Sequence, residues 1–292
     1  MNNRLKGFLL ICIGTILWGS AGVVSQYLLH DKLFDAQWLT CIRLIAAGII
    51  LLFIEKTFYK SNIMPIWHSS MVKNLLMFSI FGMLATQLSY MMTIVYSNAA
   101  TATILQYLMP IVILCYILFS EKRAPRFKES LCIILAFIGT FLLVTKGNLN
   151  ALAISHSALF WGLISAFAAA FYTLQPRGMI RKFHTTLIIG WGMFIGGIVL
   201  SLFKSPFDFT GICDLPAILA LLFVVLGGTV FSFWTYIEST KYLYPTEVGT
   251  LASLEPFSSV VLSVVFMNVH LGLPEIIGSI LIVGTVFILT KK

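Results

Sequence analysis

Apolar blocks, each close to the roughly 20 residues a helix needs to cross a bilayer core, recur from the first ten residues of this chain to the last. Ten can be marked off between charged or Pro/Gly breaks, at 7–29, 34–54, 74–95, 98–119, 129–145, 156–175, 186–203, 215–240, 247–267 and 273–290. Backbone polar groups in lipid must be satisfied within the segment, so each block is expected to be a helix. The composition agrees, with 59% hydrophobic and only 10% charged residues. The connections are too short to hold a water-soluble domain, so function has to lie inside the bundle. The first block runs past the 7 to 15 residue core of a secretory signal and reads as a retained helix.

Charge gives the orientation. With both chain ends on the cytoplasmic side, fifteen of the nineteen Lys and Arg residues fall in cytoplasmic segments, Lys291 and Lys292 among them. Only Lys32, Lys146 and Lys204 fall outside, and Arg43 lies within a span. The net charge of +8 is therefore a product of topology, and no nucleic-acid partner is called for. Cys12, Cys41, Cys115, Cys132 and Cys213 show neither a CxxC spacing nor a disulfide framework, and no metal site is expected.

Ten spans divide into two sets of five, and because five is odd the second set enters the membrane inverted, so an internal repeat is expected. At an offset of 146 residues Gly82 meets Gly228, Tyr90 meets Tyr236, Tyr96 meets Tyr242, Pro110 meets Pro256 and Glu129 meets Glu275. The division places one repeat at 1–147 and the other at 148–292. The Trp18 position finds its counterpart near Phe171 and Tyr172.

These residues carry a resemblance. "LWGSAGV" in the first span, an arginine midway along the second, "SNAATATILQYLMP" leading into the fourth, Glu121 at its end and "LASLEP" in the ninth resemble the drug/metabolite transporter superfamily, EamA type, over essentially the whole chain. The resemblance implies an all-α integral membrane fold of two inverted five-helix repeats. It also implies a central cavity opened alternately to either side, and export of small metabolites such as amino acids. The family often repeats an acid at the end of the ninth helix, where this chain has Met267 to His270. Glu121 is accordingly expected to cap or pair locally, with Lys122 or Arg126.

Ionisable side chains at membrane depth are costly and mark a cavity or a partner. Arg43 lies roughly 14 Å along its helix, near mid-bilayer. Its guanidinium can satisfy loose carbonyls on a broken neighbouring helix, or its planar fork can hold a carboxylate or phosphate; the structural role is the favoured expectation. Glu255 precedes Pro256, whose ring leaves the carbonyl of Ala252 without its helical donor. It is the candidate for proton exchange, against the plainer role of wedging the kink. Glu238 is expected to pair with Lys241.

Trp18, Gln87, Tyr90, Gln106, Tyr107, Tyr172, Gln175, Trp234 and Tyr236 fall on the spans that the family places around its cavity and are the candidate lining, with packing or interface anchoring as the alternative for each. The runs at 166–171 and the pair Gly192 and Gly196 read as close helix packing. No Walker loop or HExxH is present, and no mid-span histidine could activate Ser20, so an enzyme is not expected and no cofactor is implied. The function expected is a secondary transporter in the cell membrane, with small metabolites and protons as its partners. A channel, an intramembrane enzyme and a lipid flippase are the alternatives.

Overall fold

The computed structural model describes residues 3–148 and 152–290, with the side chains of residues 245 and 246 set aside. The expected Lys291 and Lys292 at the cytoplasmic end lie outside the described residues. Nine helices among those described are long and apolar enough to cross a membrane: α1 Asn3–His30, α2 Ala36–Thr57, α3 Val72–Tyr96, α4 Ala99–Ser120, α5 Phe127–Thr145, α6 His156–Ile180, α8 Leu215–Ser239, α9 Glu247–Met267 and α10 Leu273–Thr290. The shorter α7, Thr185–Ser201, occupies the position of the seventh block. Polar residues start several of them: Asp35, Asn98, Ser155 and Asp214 each accept a hydrogen bond from a backbone N–H of the first turn, satisfying donors that a helix start leaves over.

Helix α2 packs on α7 and α5 on α10, while α1 lies against α8 and α9, and α6 against α3 and α4. Exchanging the first five helices for the last five turns this set of neighbours into itself. The pairing α1 with α8 becomes α6 with α3, and α1 with α9 becomes α6 with α4. That is the signature of the two-repeat fold. Glycines allow the close approaches. A Cβ on Gly197 would stand 2.9 Å from the backbone nitrogen of Ile45 on α2, one on Gly192 2.6 Å from the Phe78 ring, and one on Gly196 3.0 Å from the carbonyl oxygen of Ser79, so α7 needs small residues on both its faces.

Four of the helices that build the centre are irregular. The stretches Phe78–Leu84 in α3 and Phe223–Phe231 in α8 are wound as π-helix. Helix α4 is interrupted between Gln106 and Met109, just before Pro110, and α9 at Ser253, just before Pro256. Both kinds of irregularity loosen the i to i−4 ladder and free carbonyls, which is tolerated at membrane depth where protein or a cavity receives them.

Candidate functional site

The breaks in α4 and α9 and the end of the π-wound stretch of α3 reach a cavity of about 550 Å³. Its wall includes Trp18, Arg43, Gln87, Tyr90, Gln106, Tyr107, Tyr172, Tyr236 and Glu255. Eight of these are sequence candidates for the cavity or for proton exchange, on six different helices, and the fold brings them to one hollow. Trp234 is not in this wall; its ring lies 5.7 Å from that of Phe231, because helical rotation turns it away from the face that carries Phe233 and Tyr236. Gln175 is also turned elsewhere, its Nε2 donating to the carbonyl of Asn74 at 2.9 Å.

Arg43 is anchored on one edge and lies against the cavity on the other. Its Nε donates to the Thr229 hydroxyl at 2.7 Å, and that hydroxyl donates to the carbonyl of Val224, five residues back, at 2.8 Å. The guanidinium thus reaches a carbonyl of the π-wound segment of α8 through one hydroxyl. Arg43 nevertheless also lines the cavity, and among the described residues its terminal nitrogens have no hydrogen-bond partner and no carboxylate within ion-pair distance.

Glu255 stands across the cavity. Pro256 removes the donor that the Ala252 carbonyl would have had, and the Tyr107 hydroxyl of α4 replaces it at 2.7 Å, with Glu255 Oε2 3.2 Å from the same hydroxyl. A single tyrosine therefore holds the broken turn and the acid together. Gly19 of α1 makes room for this turn, because a Cβ there would stand 2.5 Å from the carbonyl oxygen of Glu255 and 2.9 Å from the nitrogen of Ser259. The "LWGSAGV" stretch earns its glycine by letting α1 touch α9 where the acid sits. Trp18 then packs on Phe233 and Tyr236 at centroid separations of 4.9 and 5.0 Å, giving the cavity an aromatic side.

The cavity is one-ended. From Ala21, Arg43 and Tyr90 near mid-membrane its wall runs along the second halves of α4, α6, α8 and α10 and the first half of α9 toward the end of the bundle where α1 begins. Toward the other end Tyr90 and Thr103 share a hydrogen bond of 2.8 Å, Thr103 and Ser259 one of 3.1 Å, and Gln26 accepts the backbone N–H of Ala99 at 2.8 Å. Farther out Lys32 donates to Asp214 at 2.5 Å and the Ile212 N–H to the Lys32 carbonyl at 2.8 Å, tying the loop after α1 to the loop before α8. That hydrogen bond holds the Lys32 ammonium above its ordinary range and the Asp214 carboxyl below its own.

Sequence reasoning did not find Thr229 or the π-wound stretches. The signal available was the glycine pair Gly82 and Gly228: a Cβ at the first would come 3.4 Å from the Cα of Tyr172 on α6, and one at the second would overlap Ala21 on α1, the same approach in each half. Glu121 pairs with Arg123, Nε to Oε2 at 2.6 Å, rather than with Lys122 or Arg126, because the turn after α4 brings residue 123 back over the acid and Arg123 also takes both oxygens of Glu129 at 2.8 Å. Glu238 pairs with Lys241 at 2.6 Å, as expected from their spacing.

A bundle of paired apolar helices around a mostly apolar, one-ended cavity that holds a few polar groups is the architecture of a membrane transporter. The chain belongs to the EamA-like transporter family, whose model matches residues 5–145 and again 156–291. It is 36% identical over 290 residues to YicL, an uncharacterized inner membrane transporter of Salmonella typhimurium, in a match covering 99% of this chain and 97% of that protein. A crystal structure of a protein 16% identical in sequence superimposes with a TM-score of 0.65 over 98% of this chain and 96% of that one, a likeness of fold.

Proposed function

We propose that this protein is a secondary exporter of a small amphipathic metabolite, working by alternating access, with protons exchanging at Glu255. The observation that carries the reading is the pairing of a cavity open at one end with a hydrogen-bonded closure at the other. A transporter of this kind needs such an asymmetric state and its mirror image, and an inverted repeat supplies both from one set of contacts. A channel would keep a continuous polar path instead. The two repeats, 1–147 and 148–292, supply the paired helices whose rearrangement opens and closes the cavity. The excess of Lys and Arg in the segments assigned inside supports chain ends in the cytoplasm, so the cavity faces the cytoplasm in this state. The candidate substrate wall is Trp18, Gln87, Tyr90, Gln106, Tyr107, Tyr172 and Tyr236. A volume of about 550 Å³ fits one small metabolite, within the roughly 300–1,000 Å³ of ordinary ligand pockets.

Glu255 suits the coupling role because it lies at the break in α9 and is tied to α4 by Tyr107, so that its surroundings change if the two helices part. The test is flux in proteoliposomes. Glu255→Gln keeps the size and the hydrogen bond acceptor but removes the titrating group, and is expected to abolish pH-gradient-driven flux while leaving the folded fraction unchanged. Coupled flux at the unsubstituted rate would remove the proton role and leave exchange without ion coupling.

A further inference from the structure

We propose that the terminal nitrogens of Arg43 form an oxyanion subsite in the cavity and that the transported molecule carries a carboxylate on an apolar body. The proposal rests on the transporter reading and names the class of substrate for that same cavity.

Arg43 is 6% exposed and lines the cavity, yet of its five N–H donors only the one on Nε has a protein partner among the described residues. A guanidinium kept at membrane depth with most of its donors unmet is costly. A purely structural arginine would be expected to spend them on the freed carbonyls nearby. Here the carbonyl of Val224 is met by Thr229 and that of Ala252 by Tyr107, so neither is left for Arg43. Securing Nε to Thr229 restricts the planar group and leaves its terminal edge as the bidentate face that fits a carboxylate.

Charge narrows the ligand. Arg43 is the one cation and Glu255 the one acid among the described residues of the wall, and no ion pair within 4.0 Å joins them. A phosphate dianion would bring two negative charges to a single guanidinium in a cavity that already contains an acid. A cationic ligand would have to share a low-dielectric space with Arg43. A monocarboxylate matches one guanidinium in charge and in shape. Trp18, Tyr172, Phe233, Tyr236 and Met83 offer the apolar surface for the rest of the molecule.

Three probes with one phenyl body separate the alternatives: 3-phenylpropionate, phenylalanine and phenethylamine, titrated calorimetrically into the purified full chain at neutral pH. The carboxylate-bearing pair is expected to bind at least roughly tenfold more tightly than phenethylamine, the scale of a charge-assisted hydrogen-bonded contact. Arg43→Gln should erase that preference. Arg43→Lys, which keeps the charge and loses the fork, should keep the preference at reduced affinity. The selectivity of the unsubstituted protein is itself a test, so a variant that fails to fold does not protect the proposal. Phenethylamine binding as tightly as 3-phenylpropionate, an Arg43→Gln protein that retains the preference, or no binding of either carboxylate in the millimolar range would overturn the subsite. Phenethylamine binding that Trp18→Ala removes would sink the carboxylate assignment while leaving the transporter reading standing.

Discussion

Replacing Tyr107 by phenylalanine isolates the contact on which the central break depends. The hydroxyl donates at 2.7 Å to the Ala252 carbonyl, which Pro256 has deprived of its helical donor, and lies 3.2 Å from Glu255 Oε2. Removing it leaves a partly buried carbonyl unmet, a loss of about 1–3 kcal/mol. For a chain of this length that corresponds to a fall of roughly 2–6 °C in the thermal midpoint, taking about 2 °C per kcal/mol. The informative experiment is the double-mutant cycle with Pro256→Ala, measured by equilibrium unfolding in detergent micelles. Alanine at 256 restores an N–H able to reach the Ala252 carbonyl, so in that background Tyr107→Phe should cost about 1 kcal/mol less than it does alone. Additivity within about 0.3 kcal/mol would refute the reasoning, since two changes acting on one carbonyl have to couple.

Gly19→Ala should destabilise by at least about 1–3 kcal/mol, because the added Cβ meets the backbone of Glu255 and Ser259 and backbone cannot step aside. Gly178→Ala, with nothing within 4 Å of the added carbon, should be neutral or slightly stabilising, and equal thermal midpoints for the two would contradict the close approach of α1 and α9. Asp214→Asn should loosen the far closure, read as severalfold faster hydrogen exchange at the Ile212 amide, whose N–H bonds the Lys32 carbonyl. In the unsubstituted protein the same exchange should stay slow through neutral and mildly acidic pH. The Asp214 carboxyl is held below its ordinary range by Lys32 and then by the Ala217 N–H, so its contribution is present above the unfolded value and is lost only as pH falls through the lowered one. Loosening already at mildly acidic pH would count against this pairing.

How far the sequence reaches can be judged from Ala252 and Thr229. That Pro256 would orphan the Ala252 carbonyl follows from covalent chemistry and could be read directly; that Tyr107 would be the donor depends on how α4 crosses α9, which no local pattern states. The ten spans were legible because a run of apolar residues is a property of the chain alone, and their ends moved by only a few residues. The π-wound stretches of α3 and α8 were not, since the choice between i−4 and i−5 bonding is made by packing, with Thr229 and Ser232 reaching carbonyls five residues back. Arg43 was visible as an anomaly, and its two partners, a hydroxyl on one edge and an open cavity on the other, became visible only when α2 was set beside α8. Trp234 shows the opposite failure: it lies on an expected cavity helix, but neighbouring residues on a helix face different ways.

If the hollow at mid-membrane is reached from one end at a time, a single thiol in its wall will report from which side. Thr173→Cys, placed in a chain whose five cysteines are replaced by serine, puts a thiol on the cavity wall for an impermeant maleimide added to sealed vesicles of known sidedness. Labelling is expected from the side that carries the chain ends, with labelling from the opposite side rising only when a transported molecule drives turnover. No labelling from either side, or equal labelling from both at rest, would contradict one-ended access.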